Sequence, residues 1–213
     1  MLKLIVFDCD GVMFDSRMAN IMYYNQLLSH FGRPRMSPGE EEYVHMHNVN
    51  DSVSYIFRHY QEPALAEVHL LRQQGDYSSF LSYMEMEPDL LEFLDQTKEK
   101  YHLAISTNRT TSMLPLLQHY GLTDYFGKVM TADIVERPKP APDALLEILE
   151  HFNCQPEEAI FIGDSILDEE HAAACSVPLI AFKNPDLRAK YYVHCFLDIL
   201  KLPPLAEANS TFP

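Results

Sequence analysis

The sequence predicts an α/β fold, a parallel sheet with helices on both faces, carrying an inserted all-helical domain. Two observations predict it. Short apolar runs alternate with amphipathic helical patterns from Met86 onward, and a run of the same strand type, rich in branched residues, opens the chain before Asp8. Between these parts, about seventy residues after Asp15 carry helical periodicity and nothing that reads as strand. The core is therefore assigned to residues 1–15 and 85–213, and the helical insertion to 16–84.

Taken in order, Leu2 to Phe7 is a buried strand that ends at two carboxylates, Asp8 and Asp10, followed by Gly11. Ser16 is a candidate N-cap for a helix marked by Ile21, Tyr24, Leu27, Leu28 and Phe31 and stopped by Gly32 and Pro34. Ser37-Pro38-Gly39-Glu40 starts a second helix, read through Tyr43, Val44, Met46, Val53, Ile56, Phe57 and Tyr60. Pro63 opens a third, ending near Gly75, and Tyr77, Phe80, Leu81 and Met84 mark a fourth. The aromatic residues of this block, at helical spacing, are expected to form its core.

The alternation then resumes with a helix over Pro88–Lys100, a strand over His102–Ser106, a helix over Thr110–Tyr120 and a strand over Val129–Ala132. Pro142–Phe152 is helix, Ala159–Ile162 strand, Leu167–Cys175 helix and Leu179–Phe182 strand, with Tyr191–His194 as a further strand. Repeated helix and strand in this order build a parallel sheet covered on both faces. The tail from Pro203 to Pro213 has little to bury and is expected to be loosely ordered.

Composition narrows the partners. Sixteen Lys and Arg against thirty-one Asp and Glu give a net charge of −15, which argues against a nucleic-acid backbone and favours divalent cations. The acidic run Glu40-Glu41-Glu42 is expected to be solvated. No stretch is long and apolar enough to span a bilayer, and the N-terminus lacks a signal-peptide pattern, so a cytoplasmic protein is expected. Cys9, Cys154, Cys175 and Cys195 have no paired spacing and are expected to be reduced and buried. Cys9 lies between two acids that raise a thiol pKa, which makes it a poor nucleophile. The Asn209-Ser210-Thr211 triplet is taken as a chance match to a glycosylation acceptor.

Four segment ends carry polar groups: Asp8 and Asp10; Ser106-Thr107-Asn108; Arg137-Pro138-Lys139-Pro140; and Gly163-Asp164-Ser165 with Asp168. In an open parallel sheet the crevice beyond the carboxyl ends of the strands binds ligands, so these groups converge on one edge. Alternate residues of an extended chain share a face, and two such acids need either a cation or a shared proton. Carboxylates suit magnesium, while Lys139 and the Thr107 hydroxyl suit phosphoryl oxygens. Thr107 has a second reading as the N-cap of the following helix, with Ser106 and Asn108 as alternatives for the same contact. Arg137 either pairs with Glu136 or steers an anionic substrate. His45 and His47, two apart, read as surface residues; His171, one turn after Asp168, has two readings, an approach to the site and a solvated helix face, of which the second is preferred. Arg17 and Asn20, just past the first strand's loop, are candidate substrate contacts.

Asp8-x-Asp10-Gly11, Thr107, Lys139 and Gly163-Asp164-x-x-x-Asp168, in this order, resemble the four motifs of the haloacid dehalogenase superfamily. The helical insertion resembles the cap of its phosphoglycolate phosphatase and β-phosphoglucomutase branch. The resemblance implies a Rossmann-like core with a mobile helical cap, and a magnesium-dependent phosphatase acting on a small phosphorylated metabolite. It makes Asp8 the nucleophile that becomes an aspartyl phosphate, and Asp10 the general acid and then base. It assigns magnesium to Asp8, the Asp10 backbone carbonyl and Asp164, while Asp168 would bind it through a water or orient Lys139. Thr107, Asn108 and Lys139 would bind the phosphoryl group, with Arg17 a candidate for the rest of the substrate. Asp10 separates the chain from the dehalogenases, and a lysine-free insertion separates it from the phosphonatases. A phosphomutase, an inorganic pyrophosphatase and a non-catalytic phosphometabolite-binding module remain alternatives, in a monomer or homodimer.

Overall fold

The structure, a computed structural model, describes residues 1–47, 49–75 and 77–209. In chain order it runs β1 (Leu4–Phe7), β2 (Phe14–Asp15), α1 (Arg17–His30), α2 (Pro38–Met46), α3 (Val49–Ile56), α4 (Leu65–Gln74), β3 (Glu85–Met86) and α5 (Leu90–Thr97). It continues with β4 (His102–Ser106), α6 (Met113–His119), β5 (Lys128–Met130), α7 (Asp143–His151), β6 (Ala159–Gly163), α8 (Ile166–Ala174), β7 (Leu179–Phe182), β8 (Tyr191–Val193), α9 (Phe196–Ile199) and α10 (Pro203–Asn209). The chain divides into two compact units, Met1–Asp15 with Met86–Pro213, and Ser16–Glu85.

The first unit is built on a six-stranded sheet of order β5-β4-β1-β6-β7-β8, parallel throughout. All four residues of β1 are fully buried, as a strand covered on both faces requires. Alternation sorts them by face. Leu4 and Val6 pack in one cluster with Leu145, Ile148 and Leu149 of α7 and Ala172 of α8. Phe7 points the other way, its ring 6.0 Å from Phe93 of α5 and 6.0 Å from Phe196 of α9. β1 sits between β4 and β6, with Phe7 paired to Ile105 on one side and to Ile162 on the other. The next residues, Asp8, Ser106 and Gly163, therefore emerge at one level of the same edge.

The second unit is helical and has its own core: Tyr24, Leu27 and Leu28 of α1, Val44 of α2, Val53 and Ile56 of α3, Phe57, and Val68 of α4. Tyr24, Phe57 and Phe80 are buried and Tyr23, Phe31 and Tyr60 pack against the core, as their spacing predicts, while Tyr83 is 40% exposed. The periodicity read as one long helix from Ser37 is broken at His47, whose extended backbone (φ −122, ψ 157) caps α2 before α3 begins. Tyr77–Tyr83, read as an α-helix, is a 3-10 helix. Glu40 of the acidic run is not merely solvated, because it closes a capping box with Ser37 and pairs with Arg58 at 2.9 Å.

The tail departs from expectation as well. Pro203–Asn209 is helical, and within it Leu205 is 1% exposed. Residues 210–213 lie outside the described residues, and with them Ser210 and Thr211 of the glycosylation triplet. Cys9, Cys154 and Cys175 are free and buried as expected, while Cys195 is free and partly exposed. Among the described residues no helix is long and apolar enough to cross a membrane.

The four-residue helix α9 is too short to persist alone and is held by Phe196, which is fully buried against Phe7, Phe93 and Phe182. Phe196→Ala should lower the unfolding free energy by about 3–5 kcal/mol, read from the urea midpoint at constant slope.

Candidate active site

The acids that the sequence placed on one edge meet there. The Asp8 amide donates to Ile162 O at 2.9 Å, carrying the β1–β6 ladder one residue past the strand and fixing Asp8 at the rim. The chain then turns sharply: Met13 N bonds Cys9 O at 2.9 Å and Gly11 N bonds Phe14 O at 2.8 Å. Gly11 has φ +80, and a Cβ there would lie 2.1 Å from Oδ2 of Asp164. Only glycine lets this turn and the end of β6 approach so closely. Gly163 does the same for Asp168, whose Cβ would be 2.4 Å from an added methyl.

One oxygen from each of Asp8, Asp164 and Asp168 lies within 4.8 Å of the others, a group able to hold a metal ion. Lys139 joins them, its ammonium 2.7 Å from Asp8 and 2.6 Å from Asp168, with all three side chains nearly or fully buried. Lys139 loses stability through burial, yet the Asp168 and Asp8 charges outweigh that loss and hold its pKa above the ordinary lysine value. One ammonium does not neutralise three carboxylates. Burial pushes Asp8 up to about 7, with Lys139 opposing and Asp168 and Asp10 adding to the rise. Burial, then Asp8 and Asp168, push Asp164 up to about 8. Such a site binds a proton or a cation.

Asp168 is the most constrained of the acids. Its Oδ1 accepts from Lys139, while its Oδ2 accepts from Ser165 Oγ at 2.7 Å, Ser165 N at 3.1 Å and Asp164 N at 3.2 Å. It is the N3 residue of a capping box on α8, so the helix start and the lysine share one carboxylate. Both oxygens are engaged, and this favours the orienting role toward Lys139 over a direct metal bond. Asp164 is steadied from outside, its carbonyl accepting from Asn184 Nδ2 at 2.7 Å.

The other sequence candidates separate. Thr107 is 4% exposed, and its following helix starts only at Met113, which removes the N-cap reading. Its Oγ1 accepts from Arg109 N at 3.2 Å. Asn108 donates its amide to Lys139 O at 3.0 Å, tying the second strand end to the lysine segment. Arg137 pairs with Asp143, at 2.7 and 3.2 Å, and not with Glu136. Arg17 belongs to the helical unit, where it pairs with Glu42 at 2.7 Å, and Asn20 accepts from Tyr77 OH at 3.1 Å. His45 and His47 are exposed as expected, His47 stacked on Tyr43 at 3.8 Å. Cys9 is buried and its pKa stands well above the usual thiol value through burial and then Asp10.

One residue was misread from the sequence and a second was not found. His171 is fully buried, not solvated. Its Nδ1 is 2.7 Å from Ala141 O and its Nε2 2.9 Å from Ser106 Oγ. A carbonyl only accepts, so Nδ1 carries the proton and Nε2 accepts from the serine. The ring thereby ties α8 to the end of β4 and to the segment just after Lys139. The i+3 spacing from Asp168 was the available signal, but polar neighbours Glu169 and Glu170 made the helix face look wet. Arg109 is the second. It forks onto Asp10, Nε to Oδ2 at 3.0 Å and Nη2 to Oδ1 at 2.7 Å, across a sequence separation no spacing rule connects.

Residues 5–182 match the family model described as haloacid dehalogenase-like hydrolase. The chain belongs to that family. A phosphoglycolate phosphatase of Thiobacillus denitrificans is 28% identical over 97% of this chain and 94% of its own length. A crystal structure of a haloacid dehalogenase-superfamily hydrolase, subfamily IA, variant 1, from Geobacter sulfurreducens is 37% identical. It has a TM-score of 0.84 and covers 94% of this chain and 95% of that one. The β-phosphoglucomutase structure from Clostridium difficile, 18% identical with a TM-score of 0.76 over 99% and 98% of the two chains, shares the fold. The sheet and the motif order expected of a haloacid dehalogenase-like hydrolase are both present.

His171 makes the site's scaffold sensitive to acid. Burial, then the Lys139 charge, lowers its pKa from 6.5 to about 4. Below about 6.5 the unfolded chain takes up a proton that the folded chain refuses, so stability falls as pH drops, until the folded ring itself protonates near 4. This contribution is about 2 kcal/mol between pH 7 and pH 5. The raised carboxylates act in the opposite sense and are common to both proteins when wild type is compared with His171→Gln. The destabilisation caused by His171→Gln should therefore shrink by roughly that amount from pH 7 to pH 5 in urea titrations. A constant difference across this range would contradict the buried neutral ring.

Proposed function

We propose that this hydrolase is a magnesium-dependent phosphatase of the phosphoglycolate phosphatase type, acting on a small phosphomonoester through an aspartyl phosphate on Asp8. The observation that carries the reading is the burial of Asp8 at the sheet edge, its carboxylate 2.7 Å from Lys139 and grouped with Asp164 and Asp168. The similarity to a phosphoglycolate phosphatase over nearly the full length of both chains supports the same substrate class.

The donor set fits magnesium. Asp8 and Asp164 offer hard oxygen ligands, and their raised pKa values express an unmet demand for positive charge. When bound, the ion would supply positive charge to Asp8 and to the phosphoryl oxygens. Asp8 attacks phosphorus, and the ester oxygen leaves with a proton from Asp10. Asp10 then takes a proton from water as it attacks the aspartyl phosphate, releasing inorganic phosphate and restoring Asp8. Lys139 and the Thr107 hydroxyl hold the phosphoryl oxygens, where negative charge must be stabilised throughout transfer. Asp168 keeps Lys139 in place. Substrate choice is assigned to the helical unit as a cap, with Arg17 a contact candidate on it.

The test is release of inorganic phosphate from a panel of phosphoglycolate, sugar phosphates, nucleotides and pyrophosphate. Wild type should turn over at least one phosphomonoester only with magnesium, and Asp8→Asn should lower kcat by at least about a thousandfold. Turnover that persists in chelator or in Asp8→Asn would overturn the reading. Asp164→Asn removes a carboxylate that burial penalises. It should raise the melting temperature of the metal-free protein and abolish the upward shift that magnesium gives wild type, both read by thermal scanning.

A further inference from the structure

The guanidinium of Arg109 is held in a fixed attitude. Its backbone amide donates to Thr107 Oγ1 at 3.2 Å and its carbonyl accepts from Ala132 N at 2.9 Å. Its Nη1 donates to Ser112 Oγ at 3.1 Å, and its side chain is only 7% exposed. The remaining edge, Nε and Nη2, forks onto the two oxygens of Asp10, whose side chain is 38% exposed. A fork of this kind matches a planar carboxylate, two parallel N–H donors against two oxygens.

We propose that Arg109 is a specificity residue that recognises a carboxylate on the leaving group of the substrate, and that Asp10 occupies this carboxylate's place in the structure described here. The inference rests on the phosphatase reading. To serve the ester oxygen, Asp10 must turn its carboxyl group away from the fork. A largely buried guanidinium deprived of that carboxylate is costly unless another anion replaces it. A phosphomonoester with a carboxylate close to its ester oxygen supplies the replacement. Arg109 stands two residues beyond Thr107 on one loop and its guanidinium is bonded to Asp10, the group that would serve the ester oxygen, so it borders the place where the leaving group begins. Lys139 cannot take this part, since two of its three N–H donors go to Asp8 and Asp168 and the third is the one assigned to the phosphoryl group. The class of substrate is thus a short 2-phosphooxy carboxylate, and its binding frees Asp10 for the leaving oxygen.

Two comparisons test this. The first is kcat/KM with magnesium for phosphoglycolate and for ethyl phosphate, which has a methyl group in place of the carboxylate, in wild type, Arg109→Lys and Arg109→Ala. Loss on phosphoglycolate should exceed loss on ethyl phosphate by about 30-fold or more in Arg109→Ala. Arg109→Lys, which keeps the charge but not the fork, should fall between. Equal losses on both esters would overturn the inference and leave Arg109 as a holder of Asp10 alone. The second needs no variant: calorimetric binding of 3-phosphonopropionate and propylphosphonate to wild type. The carboxylate-bearing ligand should bind at least about 30-fold tighter, and equal affinities would overturn the inference even if the variants fail to fold. Hydrolysis of neither ester, nor of any other phosphomonoester, would bring down the phosphatase reading separately, since the two phosphonates still report whether Arg109's site selects a carboxylate.

Discussion

The site depends on one buried ammonium. Lys139 lies between Asp8 and Asp168, within 2.7 and 2.6 Å, and without it three carboxylates would share a water-poor rim. Removing one member of such a group leaves uncompensated charge, which costs far more than an exposed ion pair is worth. The lysine therefore does two things at once. It permits Asp8 to be ionised inside the protein, and by meeting only part of the negative charge it leaves the cluster poised for a divalent cation.

Much of the surrounding architecture serves to hold that ammonium and its partners. Asp168 is fastened by the capping box of α8, Lys139's carbonyl by Asn108, and the segment after Lys139 by His171, which also reaches Ser106. Gly11 and Gly163 are the points where a side chain would push Asp164 or Asp168 out of line. The Asn108 and His171 links cross between different strand ends and so tie the site to the parallel sheet beneath it. Asp10 stands apart from this framework. Its partner is Arg109, and its side chain is considerably more exposed than that of Asp8, which suits a group that has to move between roles.

The strands around the site were legible because buried parallel strands are short apolar runs with polar ends, and the register then puts Asp8, Ser106 and Gly163 at one level. Asp8, Asp164, Asp168 and Lys139 could be grouped for that reason. Boundaries in the helical unit were less legible, since periodicity continues across the break at His47 and the break depends on backbone geometry. His171 was misread and Arg109 missed for a different reason. Their partners, Ser106 with Ala141 and Asp10, are remote in sequence, and a histidine or arginine beside polar residues has the same local signature whether buried or wet. Arg137 was ambiguous by the same rule, and its partner Asp143 became evident only with the turn into α7.

The central claim is that the Asp8 carboxylate is the group that takes the phosphoryl from the substrate. It is tested most directly by rapid acid quench during turnover, followed by proteolysis and mass spectrometry of the N-terminal peptide. A phosphoryl adduct confined to Asp8 is predicted. Turnover with no adduct on Asp8 at any quench time, or an adduct on Asp10 instead, would contradict the account.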